Sequence, residues 1–176
     1  MSNSPADDGP PPLLTIGYES ARFDQVRDAL SQAGTRLLID VRAIAASRRA
    51  GFSKRILAAG LAEAGIEYVH LQPLGTPKEG REAVRRGDVG TMQRIFEAHM
   101  QGDRSQAALQ EAHALAIERR ACLLCFERDH SHCHRTLVAG MIAGESGQRI
   151  QHLVCAIDIP EPAARRPRAT PRKRPA

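Results

Sequence analysis

The sequence has no tryptophan, and aromatic residues make up only 3% of its 176 residues, so Leu, Ile, Val and Ala must build the core. No apolar run approaches the roughly 20 residues that a membrane-spanning helix needs, so we expect no membrane partner. Residues 1–12 are polar and proline-rich, and they lack the basic start and apolar stretch of a secretory signal. These absences predict a cytoplasmic location.

Common signature motifs are also missing. The sequence contains no P-loop, no G-x-G-x-x-G, no G-x-S-x-G and no H-E-x-x-H pattern, which removes the usual nucleotide-binding, hydrolase and metalloprotease signatures. The four cysteines are few for this length. In a cytoplasmic chain they indicate core packing, metal ligands or reactive thiols before they indicate disulfides.

Positive charge is concentrated at the C-terminal end. The formal net charge is +5, but the segment after Glu161 holds six basic residues and no acid, so the rest of the chain is close to neutral. This segment is a candidate arm for phosphate contacts, which makes nucleic acid a possible partner; the alternative is a solubilising end. Without aromatic residues between its charges, such an arm would add affinity but no base recognition.

Composition divides the chain into three parts. Residues 1–12 and 160–176 are rich in proline and charge and poor in apolar residues, which predicts a disordered N-terminal extension and a disordered basic tail. Residues 13–159 have the composition of one folded domain, a size that supports a full hydrophobic core.

Within that domain, short apolar runs alternate with helical patterns, which predicts an α/β fold. The runs are continuously apolar, as expected for strands covered on both sides, so we predict a mostly parallel sheet with helices on both faces, in a single compact domain. The polar, glycine-containing stretch 76–90 is predicted to be a mobile loop. The predicted strands are 13–16, 37–39, 68–71, 121–126 and 150–154; the predicted helices are 23–33, 53–64, 91–101, 105–119 and 135–143.

Ligands of such open sheets bind beyond the carboxyl ends of the strands. The polar segments that follow the predicted strands therefore mark the expected site. They are Gly17 to Glu19, Asp40 to Arg42, Gln72 to Gly75 and Glu127 to His134.

The segment from Cys125 to Arg135 holds the densest group of reactive side chains, and three interpretations compete. In the first, Cys125 and Cys133 coordinate zinc or iron together with one or two histidines. The ligand types fit, but the spacing is not a recognised finger pattern, and four ligands within ten residues would be crowded. The candidate histidines are His130, His132 and His134.

In the second interpretation Cys133 is a nucleophile or a redox centre. It lies near the first turn of a predicted helix, where backbone N–H groups and the helix dipole would favour the thiolate and lower the pKa of the thiol. His134 is its neighbour in sequence, but adjacent helical residues point in different directions, which weakens the pairing.

In the third interpretation the site binds an anion. Arg42, Arg135 and the helix N-terminus would bind a phosphate-bearing ligand, while Glu127 or Asp40 transfers a proton. The Tyr18 hydroxyl can donate to a ligand. A cationic rim would come from Lys54 and its neighbours Arg48, Arg49 and Arg55.

Structural roles are the alternative for each residue taken alone. Cys125 can be a small core residue, Glu127 and Arg135 can form an ion pair, and Asp40 and Arg42 can form a mutual salt bridge. We favour a combination of the thiol and anion interpretations: an enzyme acting on a small anionic, phosphate-bearing substrate, with nucleotides and nucleic-acid components among the candidates. Glu127, Cys133 and Asp40 would then be catalytic, and Arg42, Arg135, Tyr18 and Lys54 would bind substrate.

Two alternatives to the enzyme stay open. The first is a protein that binds zinc or iron through Cys125, Cys133 and His134. The second is a non-enzymatic module that associates with nucleic acid through the basic tail.

The ordered motifs of this sequence resemble the bacterial domain of unknown function 488 family. The resemblance covers about residues 13–154. It implies an α/β sandwich with a site at the Asp-Val-Arg, Cys-x-Glu and Cys-His-Arg motifs. The motifs are Thr15-Ile16-Gly17-Tyr18, Asp40-Val41-Arg42, Phe52-Ser53-Lys54, Tyr68-Val69-His70-Leu71 with Leu74-Gly75, Cys125-Phe126-Glu127 and Cys133-His134-Arg135.

Overall fold

A computed structural model describes residues 10–156 and contains one sheet of five parallel strands in the order β3-β2-β4-β1-β5. The predicted parallel sheet is confirmed, and each predicted strand is present within about one residue at either end. The strands are β1 (Leu13–Gly17), β2 (Leu37–Asp40), β3 (Glu67–His70), β4 (Ala121–Cys125) and β5 (Ile150–Leu153).

Helices cover both faces of the sheet, as the continuously apolar strands predicted. Side chains of successive strand residues point to opposite faces, so each strand contributes to two separate cores. Residues of α1 and α2 fill one core, and residues of α3, α4, α5 and α6 fill the other. The helices are α1 (Phe23–Gln32), α2 (Lys54–Glu63), α3 (Lys78–Arg85), α4 (Val89–Met100), α5 (Asp103–Glu118) and α6 (His134–Ser146), with single 3₁₀ turns at Gln72–Leu74 and His130–His132.

The prediction of a mobile loop at 76–90 is wrong, because α3 and the start of α4 occupy this stretch. Its sequence is polar because α3 has only a narrow buried stripe, in which Ala83 is fully buried against α4. Gly80 is required by close packing and not by flexibility. A Cβ there would come within 2.5 Å of the Thr76 side chain.

The connections place the end of β4 in a crevice. β4 lies between β1 and β2, and the helix that follows it, α6, packs on the face opposite to α1 and α2, which follow those two strands. Chain segments therefore leave this edge in opposite directions. Such switch points are where parallel α/β sheets bind ligands.

Within residues 10–156, no helix is both long enough and apolar enough to cross a bilayer. The predicted basic tail lies outside the described residues, and so does most of the predicted N-terminal extension. Pro11, at the end of that extension, is held to the domain because its carbonyl accepts a hydrogen bond from Gln148 Nε2 at 2.7 Å. The domain boundaries proposed from composition stay predictions.

Candidate functional site

Four potential metal ligands converge between the end of β4 and the start of α6. One donor atom from each lies within 4.8 Å of all the others. Glu127 Oε2 accepts from Cys125 Sγ at 3.1 Å and from Cys133 Sγ at 3.0 Å, and Cys125 Sγ lies 3.7 Å from His134 Nδ1. We refer to Cys125, Glu127, Cys133 and His134 as the donor cluster.

The imidazole of His134 is held in the tautomer that a metal ligand needs. Its Nε2 lies 2.9 Å from the carbonyl oxygen of Val41. Because a carbonyl can only accept, Nε2 carries the hydrogen, and the lone pair of the neutral ring is on Nδ1, which faces Cys125. A backbone carbonyl bonded to the distal nitrogen is the usual outer contact of a metal-bound histidine.

Local backbone geometry explains why neighbours in sequence share the cluster. Cys125 is the last residue of β4, and Cys133 is the N-cap of α6 with extended dihedrals (φ −122°, ψ 136°). The expectation that Cys133 and His134 diverge is wrong, because it assumed that both were helical. His130 and His132 are not in the cluster: the ring of His130 stacks on His152, and His132 faces Asp129.

Two further residues fix the loop that carries Glu127. The Arg135 guanidinium donates to the backbone carbonyl of Glu127 and, at 3.1 Å, to that of Arg128. Gly17, at the end of β1, gives that loop room, because a Cβ there would lie 1.9 Å from the Glu127 carbonyl oxygen. The motif that contains Gly17 and the motif that contains Arg135 therefore both contact the loop at Glu127.

The electrostatics of the cluster differ from the expectation for a reactive thiol. Burial, together with the neighbouring Cys125 thiol, raises the pKa of Cys133 well above its ordinary value. The prediction of a lowered pKa is wrong, because loss of solvent outweighs the helix N-terminus at a side chain that is only 2% exposed. Burial would by itself raise the pKa of Glu127, but hydrogen bonds from the two thiols hold it below its usual range.

A cavity of about 110 Å³ opens beside the cluster. Its walls are mostly apolar, and three members of the donor cluster, Cys125, Glu127 and His134, line it. The remaining lining residues are Tyr18, Arg42, Ala43, Ile44, Thr76, Arg81, Val84, Met92, Phe126 and His132.

At the end of β2, Asp40 and Arg42 form a closed network. Asp40 is fully buried, and its carboxylate accepts from the backbone and side chain of Arg42 and from the Tyr68 hydroxyl at 2.6 Å. Arg42 also donates to the Tyr18 hydroxyl at 2.8 Å and to the Phe52 carbonyl at 3.0 Å. This arrangement is the mutual salt bridge considered as the structural alternative, and a catalytic role for Asp40 stays a prediction.

The anion contacts predicted for Arg42 and Arg135 also stay predictions. Besides the two loop carbonyls, Arg135 donates to the Thr15 hydroxyl at 3.3 Å and is fully buried. Both guanidinium groups therefore donate mainly to the protein itself. Lys54 is exposed at the start of α2 and lines a separate depression together with Ile44 and His70.

Sequence reasoning missed the part of the cavity wall that α3 and α4 supply. Arg81 and Val84 belong to α3, and Met92 belongs to α4. No local motif marks these residues. The available signal was the helical spacing of Gly80, Ala83 and Val84, which is weak in so polar a stretch.

Comparisons with known proteins give one match. The family model described as domain of unknown function DUF488 matches residues 22–142. No curated protein and no solved structure matches the chain.

Proposed function

The chain belongs to the DUF488 family, and we propose that it binds one zinc ion through its donor cluster at the wall of the adjacent cavity. The observation that carries the proposal is the convergence of four ligand-type atoms within 4.8 Å. Two thiols, an imidazole nitrogen and a carboxylate oxygen form a set that zinc accepts in proteins. The two cysteines and the histidine are the ligands predicted from the sequence; Glu127 is the addition.

The spacing of the donor atoms supports this proposal. Ligand atoms about 2.0–2.3 Å from a tetrahedral zinc ion lie roughly 3.3–3.8 Å from each other. The contacts from Glu127 Oε2 to the two sulfurs are 3.0 and 3.1 Å, and the contact from Cys125 Sγ to His134 Nδ1 is 3.7 Å. The remaining separations are at most 4.8 Å, so movements of about 1 Å or less would bring the four atoms onto a tetrahedron around one ion.

Charge balance also supports a metal. Arg135 is fully buried, and within the described part of the chain no carboxylate lies within ion-pair distance of its guanidinium. A buried, unpaired cation is costly. Zinc bound by two thiolates and one carboxylate carries a net charge of −1, so the occupied cluster would supply the missing negative charge beside the loop that Arg135 holds.

We place the exchangeable coordination position at Glu127. Thiolate and imidazole are the preferred zinc ligands, whereas a carboxylate is a harder donor that exchanges with other oxygen ligands. Glu127 is only partly buried and faces the cavity. A zinc ion with three fixed ligands and a fourth position open to a cavity is the arrangement of catalytic sites, so we propose a metal-dependent enzyme that acts on a small molecule.

Metal content tests this proposal. We expect the full chain, purified without chelators, to contain about one equivalent of zinc, as a single site requires. Cys125→Ala and Cys133→Ala should each weaken zinc binding by at least about 100-fold, more than the loss of an outer contact. Cys155→Ala is the matched control, because it removes a buried thiol outside the cluster and should leave the zinc content unchanged.

Zinc removal should also lower stability. A ligand that binds only the folded state at a free concentration of about 100 times its dissociation constant adds roughly 3 kcal/mol to the free energy of unfolding. Urea unfolding with chelator and with added zinc measures this difference, which should disappear in Cys133→Ala and persist in Cys155→Ala. A wild-type chain that takes up neither zinc nor cobalt would contradict the proposal, and one equivalent of iron would refute zinc as the metal.

A further inference from the structure

Arg81 places a positive charge in the cavity wall with no acidic partner. One of its N–H groups donates to the Thr76 carbonyl at 2.7 Å, which anchors the side chain at the start of α3. A guanidinium carries five N–H donors. Among residues 10–156 the Arg81 guanidinium has no carboxylate within ion-pair distance and no second hydrogen-bond partner. Most of its donors are therefore available to a ligand.

The other charged groups of the cavity are already compensated. Arg42 is paired with Asp40 at 2.6 Å, and His132 faces Asp129. Glu127 accepts from both cluster thiols. The rest of the wall is largely apolar, with Ala43, Ile44, Val84, Met92 and Phe126. The cavity thus offers one free cation, an apolar middle and the donor cluster.

We propose that the cavity binds a small monocarboxylate, whose carboxylate group pairs with the Arg81 guanidinium. The planar fork of an arginine matches a carboxylate with two parallel hydrogen bonds. One free cation matches a single negative charge better than the charge of about −2 on a phosphate monoester. A cavity of about 110 Å³ limits the ligand to a few non-hydrogen atoms.

The orientation of this ligand rests on the proposed zinc centre, whereas the carboxylate contact does not. The occupied cluster would carry a net charge of −1 and repel a second anion. The negative end of the ligand therefore lies at Arg81, its short apolar body lies against Val84 and Met92, and its other end reaches the exchangeable position at Glu127.

A titration of the ¹⁵N-labelled full chain tests the carboxylate contact, with propionate, its neutral isostere propionamide and inorganic phosphate as probes. Propionate should shift the amide signals of cavity residues and bind at least about tenfold more tightly than propionamide, since a charge-assisted pair is lost in the amide. Arg81→Gln should abolish this preference, and Arg81→Lys should keep part of it. Arg85→Gln, which removes the same charge from an exposed residue of the same helix that does not line the cavity, should leave it intact.

The outcomes separate this inference from the zinc proposal, because the titration is run with and without added zinc. Propionate selectivity that depends on Arg81 in a chain that binds no zinc would support the carboxylate site and refute the metal centre. Equal binding of propionate and propionamide by the wild type would overturn the inference without any variant. Tighter binding of phosphate, or unchanged propionate binding by a folded Arg81→Gln chain, would overturn it as well.

Discussion

Two clusters of polar side chains lie at the same edge of the sheet: the network of Asp40 and Arg42, and the donor cluster. They differ in how they use their hydrogen-bonding capacity. At the end of β2, the Asp40 carboxylate accepts three hydrogen bonds from Arg42 and a fourth from the Tyr68 hydroxyl. In the donor cluster, two thiols share one carboxylate oxygen, and the lone pair of His134 Nδ1 points at a sulfur. The first group is complete within the protein; the second gathers four atoms that can each give an electron pair to one cation.

The difference separates a charged pair whose members satisfy each other from a group of side chains that point their electron pairs at one place. Opposite charges that satisfy each other offset each other's desolvation, so removal of one partner leaves a costly buried charge. Thiol, imidazole and carboxylate groups that point at one place are the arrangement that binds a metal ion. The two regions should therefore respond differently when one residue is removed.

Removal of the Asp40 carboxylate should have the largest effect on stability and none on zinc content. Asp40→Ala leaves the buried Arg42 guanidinium unpaired, which should lower the free energy of unfolding by about 3–5 kcal/mol. Zinc should stay at one equivalent, because Asp40 is not a member of the donor cluster and the Val41 amide, which donates to the Leu124 carbonyl at 3.2 Å, still holds this stretch of chain. Urea unfolding and metal analysis of the same preparation measure the two effects.

The matched control for Asp40→Ala removes both charges. Asp40→Leu combined with Arg42→Met should recover most of the lost stability, because a buried ion pair and well-packed apolar residues are often of similar stability. Loss of zinc from a folded Asp40→Ala chain would show that the end of β2 belongs to the site after all.

A methyl group at Gly17 should have an intermediate effect on stability and should also weaken zinc binding by the donor cluster. The added Cβ would lie 1.9 Å from the Glu127 carbonyl oxygen, so the loop must shift. We expect Gly17→Ala to weaken zinc binding by about 10–100-fold, as a lost outer contact does, and to lower the free energy of unfolding by about 1–3 kcal/mol through overpacking. Zinc titration with a competing chelator and urea unfolding give the two values.

Gly140→Ala is the control for this substitution. Gly140 lies in α6, and a Cβ there meets nothing within 4 Å, so alanine should stabilise the helix by about 0.5–1 kcal/mol and leave zinc affinity unchanged. Equal zinc affinities of Gly17→Ala and wild type would mean that the position of the Glu127 loop does not matter to the metal.

The sheet could be predicted because burial of parallel strands on both faces leaves uninterrupted apolar runs, such as Leu37-Leu38-Ile39. Helix α3 could not be predicted, because its sequence offers little apolar surface and its position depends on packing against α4. Arg81 was missed for the same reason: its place in the cavity wall depends on where α3 packs, and no local pattern records that.

For the candidate site, the sequence predicted the types of ligand but not their arrangement. The ligand types of Cys125, Cys133 and His134 could be recognised, because they are characteristic of metal sites. The way in which Cys133 and His134 reach the same side could not be predicted, because it depends on the extended backbone of Cys133 at the N-cap. Arg42 and Arg135 have the chemistry of anion-binding residues, but most of their hydrogen bonds go to groups of the protein itself, and those partners depend on the tertiary packing.

Removal of the Tyr68 hydroxyl should have the smallest effect, because it takes away one hydrogen bond to Asp40 and leaves the Asp40–Arg42 pair in place. Burial and the hydrogen bond to Asp40 raise the pKa of the Tyr68 phenol well above its ordinary value. Because the folded state favours the protonated phenol, the contribution of this group to stability is complete below about pH 10, the unfolded pKa, and is lost as the pH rises toward the folded pKa. Tyr68→Phe should lower the free energy of unfolding by about 1 kcal/mol at neutral pH, since Asp40 keeps its bonds to Arg42.

The pH dependence distinguishes this effect from a simple loss of packing. Urea unfolding at pH 7 and at increasing pH above 10 should show the gap between wild type and Tyr68→Phe closing, because only the wild type loses the phenol's contribution. A gap that stays constant would mean that the hydroxyl does not donate to Asp40. Zinc content should be the same in both chains throughout, since Tyr68 belongs to the closed network and contacts no member of the donor cluster by hydrogen bond.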